Sequence, residues 1–366
     1  MNTITRGLVI GKFAPLHKGH QYLIETAIEA VDQLYVVIYN CPEVIDIPLH
    51  VRADWIRHLY PSVIVIEAWD GPKDEGHSAK IKKIQEDYLT KVVPQPITHF
   101  FSSEWYGRHV SKAFGAQNVV VDMQRKTFPI SGTKVRSNPH AFSYMLHPYV
   151  YKDFVKKIVF LGAESTGKST LTQYAAKRLH TTFMKEHGRD YWNDHKDAEG
   201  KLSPLQMVDL AQEHLTLEQE AAMSAHKYLC VDTNAITTEL FSHFYHGNAH
   251  PQLERLARLA QEKYDYWFVC DTDIPYEDDG TRNGARHRKK FQKLIIKDLQ
   301  ARGIQFHSVS GSLKERFEQV DNVINSHSEY VRTITGSNTR GSHEPLLRFS
   351  GRPFVSVIPK VTHSFA

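Results

Sequence analysis

Short apolar runs alternate with amphipathic stretches along most of the chain. Leu8–Phe13 is apolar enough to predict a short buried strand, and Gly19–Val31 places Leu23, Ala27 and Ala30 at helical spacing, predicting a helix. The alternation continues with a strand over Leu34–Tyr39, a helix over Val51–Leu59, a strand over Val63–Ile66 and a helix over Ser78–Leu89. Thr98–Phe101 and Asn118–Val121 are two further strands, and the aromatic, histidine-rich stretch Pro139–Asp153 predicts one or two short helices. A second series then begins. Strands are predicted at Ile158–Leu161, Thr181–Met184, Tyr228–Val231, Tyr266–Cys270 and near Ile304, with helices over Ser169–Leu179 and Leu205–Ser224, two more up to residue 263, another after the polar run Pro275–His287, and a last one over Leu313–Asn325. From Val331 the pattern stops, and only Phe354–Ile358 alternates like a strand.

Strands alternating with helices predict parallel sheets covered on both faces, with ligands held at the carboxyl ends of the strands. The fold class is therefore α/β, with two parallel-sheet domains: residues 1–153, residues 154–330, and a tail over 331–366 that predicts an appendage or a partly disordered arm. A chain of 366 residues suits two domains, each able to bury its own core.

Composition narrows the function. The three cysteines, Cys41, Cys230 and Cys270, form no CxxC pair and read as small buried thiols in a reducing cytosol, not as a zinc site. No signal peptide is evident, and no apolar run approaches the roughly 18 residues of a membrane span. The expectation is a soluble, cytoplasmic protein with no membrane partner. Its net charge of +4 suits polyanionic small molecules better than a nucleic-acid surface. The sequence leaves a homo-oligomer open.

The strongest motif is Gly162-Ala163-Glu164-Ser165-Thr166-Gly167-Lys168-Ser169-Thr170, which follows an apolar strand and opens a helix, as a phosphate-binding loop requires. Gly162, Gly167 and Thr170 belong to the ATP cradle, Lys168 is its mobile cation, and Ser169 offers a hydroxyl to Mg²⁺. Asp232 ends a buried strand, where a carboxylate orients Mg²⁺ or its waters. Arg282 and Arg286, in a run with glycines at 280 and 284, read as a lid over the transferring phosphoryl group. Glu186 and Arg189 fit a base and a substrate clamp; either Glu186 or Asp232 can take the hydroxyl proton.

In the first half, Gly11-Lys12-Phe13-Ala14-Pro15-Leu16-His17-Lys18-Gly19-His20 sits where a strand meets its helix, placing His17 and His20 at a positive helix end. Downstream, in Ile130-Ser131-Gly132-Thr133-Lys134-Val135-Arg136, Ser131 and Thr133 suit a helix cap and Arg136 a phosphate fork. Together the two stretches resemble the nucleotidyltransferase superfamily, marked by an HxGH loop and a late ISxTxxR segment. That resemblance implies a Rossmann-like domain in which a substrate phosphate attacks the α-phosphorus of ATP with no covalent intermediate. His17 and His20 would stabilise developing charge, while Lys12, Phe13, Ser131, Thr133 and Arg136 bind ATP.

The run Asp122–Thr133 and the Gly-Lys-Phe opening look like nicotinamide mononucleotide (NMN) adenylyltransferases of the NadR type. With the P-loop domain behind, residues 6 to 325 resemble the bifunctional NMN adenylyltransferase/ribosylnicotinamide kinases. The resemblance implies ATP as co-substrate, Mg²⁺ as cofactor, NMN and ribosylnicotinamide as substrates and NAD as product. Trp55 and Trp69 are candidates for stacking on the nicotinamide ring in the first domain, and Tyr276 in the second. Where the family usually has Trp-Glu-Tyr, this chain reads Lys185-Glu186-His187. The alternative expectation is therefore a P-loop domain that phosphorylates another nucleoside or only binds nucleotide as a regulator. Longer relatives carry a DNA-binding helix-turn-helix ahead of the first domain. This sequence opens almost directly on its first strand, so no DNA-binding domain is expected.

Overall fold

A computed structural model describes residues 4–336 except 44, 73–77, 95, 199 and 277–283; side chains are not described for 284–286 and 327–336. Arg282 and Phe354–Ile358 lie outside these residues, as does the side chain of Arg286. The chain divides into two compact units between Tyr151 and Lys152.

The first unit contains β1 (Arg6–Gly11), β2 (Gln33–Tyr39), β3 (Ile64–Ala68), β4 (His99–Ser102) and β5 (Gln117–Val120), all parallel in the order β3-β2-β1-β4-β5. Residues 7–10 of β1 are all buried, because helices cover both faces of its sheet, so it reads as a continuous apolar run. Leu8, Ile10, Tyr35, Val37, Leu89 and Phe100 share one core. The order reverses between β1 and β4, which opens a crevice at their carboxyl ends.

The second unit has β6 (Lys156–Leu161), β7 (Phe183–Met184), β8 (Tyr228–Asp232), β9 (Tyr266–Cys270) and β10 (His307–Val309), again parallel, in the order β10-β9-β6-β8-β7. Ile158, Phe160, Leu171, Phe268, Val320 and Ile324 belong to its core. β7 is shorter than predicted, and the strand placed near Ile304 forms three residues later. The last helix runs to Gly336, past the break in pattern at Val331. Two helices were not predicted, Gly107–Phe114 and Gly188–His195. Among the described residues no helix is long and apolar enough to cross a membrane.

Candidate active sites

At the carboxyl end of β1 the chain turns through Lys12–His17 into the helix Lys18–Ala30. His17 caps that helix, its Nδ1 accepting from the His20 N–H at 3.3 Å. The two imidazoles stack with centroids 3.7 Å apart, and His20 Nδ1 lies 3.2 Å from the Pro15 carbonyl. A carbonyl only accepts, so His20 carries its proton on Nδ1, whereas His17 keeps Nε2–H as a donor. Burial, aided by the charge of Arg125, lowers the His17 pKa from 6.5 to about 4. Burial and then His17 push His20 well below its usual value. Both rings are therefore neutral at pH 7.

The second motif meets the first at one backbone atom. Ser131 caps the helix Gly132–Ser137 by accepting from the Lys134 N–H at 3.2 Å. Arg136 then donates to the Ala14 carbonyl and, at 3.2 Å, to the Thr133 hydroxyl. A Cβ on Gly132 would lie 2.7 Å from that same Ala14 oxygen, so only glycine permits the approach. His17, His20, Ser131, Thr133 and Arg136 are thus assembled around the 12–17 turn, and Phe13 packs edge-on against His20 at 5.1 Å.

Three residues in this unit were given no role from sequence, although two of them, Asp122 and Arg125, belong to the run that carries the resemblance. Arg52, only 1% exposed, donates to the carbonyls of Lys12 (2.6 Å), Tyr39 (2.9 Å) and Ile47 (3.0 Å). Burial lowers its pKa to about 10, so it stays charged. Asp122 accepts from the N–H groups of Lys126, Thr127 and Phe128 and so shapes the loop before Ser131. Arg125 on that loop pairs with Glu104 at 3.0 Å, beside the carboxyl end of β4. The two proposed stacking tryptophans part company. Trp55 is fully buried and presents no free ring face, which removes it as a stacking platform, whereas Trp69 follows β3 and is 56% exposed.

In the second unit the glycine loop joins β6 to the helix Lys168–Arg178. Gly162 and Gly167 have φ of 147° and 81°, conformations that other residues rarely adopt. Lys168 Nζ donates to the Ala163 carbonyl at 2.9 Å. The Ser169 hydroxyl donates to Asp232 Oδ2 at 2.5 Å. Asp232 is 1% exposed and its Oδ1, also buried, has no partner. Burial raises its pKa, while Lys168 pulls it down; Glu186 and Arg189 also act on it, with opposite signs. An orphaned carboxylate oxygen beside a hydroxyl is a hard donor set, and these two residues fit Mg²⁺.

Lys185 pairs with Asp190 at 2.5 Å, and His187 Nε2 lies 2.9 Å from Glu213. Both residues that replace the family's aromatic pair are therefore engaged with acidic neighbours. Tyr276 sits 5.9 Å below the Arg288 guanidinium, its hydroxyl buried without a partner.

A cytidylyltransferase-like family profile matches residues 8–138, and an AAA domain profile matches residues 157–316. The trifunctional NAD biosynthesis/regulator protein NadR of Escherichia coli (strain K12) is 30% identical over 329 residues, covering 82% of this chain and 78% of that protein. The chain belongs to the NadR family. NadR of Salmonella typhimurium is likewise 30% identical, over 82% of this chain and 77% of its own length. A crystal structure of a NadR protein in complex with NR aligns with a TM-score of 0.64 at 22% identity, over 89% of this chain and 96% of that one. A second, in complex with NAD and AMP-PNP, gives a TM-score of 0.62 at 21% identity, over 93% and 99%. At that identity the likeness is one of fold, and both α/β units of the NadR family are accounted for.

Proposed function

We propose that this NadR-family chain makes NAD in two steps, on two sites. In the second unit the primary hydroxyl of ribosylnicotinamide attacks the γ-phosphorus of ATP, the bond to ADP breaks, and NMN forms. In the first unit an NMN phosphate oxygen attacks the α-phosphorus of a second ATP, giving NAD and releasing pyrophosphate. The observation that carries this reading is the convergence of Gly132 and Arg136 on the Ala14 carbonyl, which joins both nucleotidyltransferase stretches in one site, on a chain that also holds Lys168, Ser169 and Asp232 together.

The adenylyl-transfer site works by position and charge. His17 offers Nε2–H to the polyphosphate, Arg136 and Lys12 add permanent charge, and Ser131 and Thr133 line its path. In the kinase site Ser169 and Asp232 would hold Mg²⁺, which would neutralise phosphate charge. Asp232 already accepts from Ser169, so Glu186 is assigned to the substrate hydroxyl proton. Arg189 clamps the riboside, and Tyr276 and Trp69 offer ring faces in their respective units. With ATP and a riboside as substrates, the cytoplasm is the setting.

Product analysis with ATP, Mg²⁺ and ribosylnicotinamide as the only substrates tests the whole reading, and NAD is expected. A folded sample that forms no NAD from supplied NMN would remove the first assignment. The engaged Lys185 and His187 favour a second reading for the kinase site alone, in which another nucleoside is the acceptor. NAD from NMN, with ribosylnicotinamide unreacted and another nucleoside phosphorylated, would select it.

A further inference from the structure

A phosphate loop works by turning its N–H groups toward the anion, which requires its carbonyls to be held facing away. Two buried arginines do this here, a buried glutamine fixes the loop's first N–H, and each of the three also grips the chain that leaves β9. Gln292 accepts from the Ala163 N–H at 2.8 Å and donates to the Cys270 carbonyl at 3.0 Å. Arg288, one helical turn earlier on Gly284–Ala301, donates to the Ser165 carbonyl at 2.8 Å and the Ile274 carbonyl at 2.9 Å. Arg316, on the last helix, donates to the Thr166 carbonyl at 2.9 Å and the Asp271 carbonyl at 3.3 Å, and pairs with Asp273. Their exposures are 5%, 6% and 2%.

The pairing is regular: residues 163, 165 and 166 of the loop are tied to 270, 274 and 271 of the β9 exit. Two of the three ties are guanidiniums, whose planar forks reach two carbonyls at once, a geometry that a lysine ammonium does not reproduce.

We infer that Arg288, Gln292 and Arg316 are positioning residues for phosphoryl transfer, setting the phosphate loop by bridging it to the β9 exit. None of them need touch the nucleotide. The inference rests on the kinase reading for its activity arm only, since nucleotide binding at the loop is read independently.

The test uses the full chain with Arg288→Ala, Arg288→Lys and Gln292→Met. Binding of a non-hydrolysable ATP analogue to the second site is measured by calorimetry, in a His20→Ala background that weakens the first site, with Lys168→Ala as the reference for a disabled loop. Arg288→Ala and Gln292→Met are expected to weaken that binding at least tenfold. Arg288→Lys should recover less than a third of the loss, because charge returns without the fork. In kinase assays KM for ATP should rise while KM for the nucleoside stays within twofold, and NAD formation from NMN, measured in the same substitutions without His20→Ala, should be untouched. Analogue affinity within twofold of the parent in both Arg288→Ala and Gln292→Met overturns the inference, as does full rescue by lysine or an equal rise in both KM values. If the parent protein binds the analogue but phosphorylates no nucleoside, the kinase reading fails while the binding arm still decides this one.

Discussion

At the scale of single residues, His17 carries the sharpest physical signature. Its ring is buried and stacked on His20, and its pKa falls from 6.5 to about 4 because burial penalises the imidazolium. Above pH 6.5 the ring is neutral in folded and unfolded chains alike; between 6.5 and about 4 only the unfolded chain takes up the proton. Stability is therefore full at neutral pH and declines as the pH drops through that window, by roughly 3 kcal/mol at most for this one group. His20 adds to the decline with the same sign. Urea unfolding of the N-terminal unit at pH 7.0 and pH 4.5 should show a steep loss in the parent and a shallower one in His17→Gln. Equal losses would mean that the ring is not buried neutral. The sequence placed His17 and His20 together at a helix mouth, but not their stacking or their neutrality, which depend on how deeply the turn is packed. Arg52, Arg288 and Arg316 were invisible for a related reason: apart from Asp273 beside Arg316, their partners are backbone carbonyls, most of them distant in sequence, which carry no side-chain identity to read.

At the scale of elements, the apolar runs announced nearly every strand, because a parallel sheet covered on both faces leaves no polar alternation to confuse the period. The helices that escaped are short and polar. Gly188–His195 buries only Tyr191, so its sequence shows no apolar stripe. Within the first site the decisive contact lies between elements, where Gly132 opens its helix against the 12–17 turn. A methyl group there would stand 2.7 Å from the Ala14 oxygen, a backbone atom that cannot swing aside, so the helix or the turn must shift. Gly132→Ala is expected to cost about 1–3 kcal/mol of stability and to lower kcat/KM for NAD formation from NMN by at least tenfold, since displacements near 1 Å can cost about a hundredfold. Phosphorylation in the second unit should be unchanged. A variant with unaltered adenylyl transfer would show that the two stretches need not stay in contact.

At the scale of the whole molecule, the two chemistries lie on separate compact units, each with its own sheet and core. The product of one proposed step is the substrate of the other, so the units are joined by chemistry as well as by chain. His20→Ala removes a ring proposed to act in the first site and should leave the second intact; Lys168→Ala should do the reverse, at a cost on the order of several kcal/mol of transition-state stabilisation in the kinase step. Neither variant alone should convert ribosylnicotinamide to NAD. Mixed in equal amounts, they should restore the conversion, because NMN released by one molecule can diffuse to the intact first site of another. NMN should accumulate first and NAD follow after a lag that shortens as total protein rises. Failure of the mixture, with each variant keeping its own single step, would mean that NMN does not leave the molecule that makes it. Loss of both steps in either folded variant would break the two-site reading altogether.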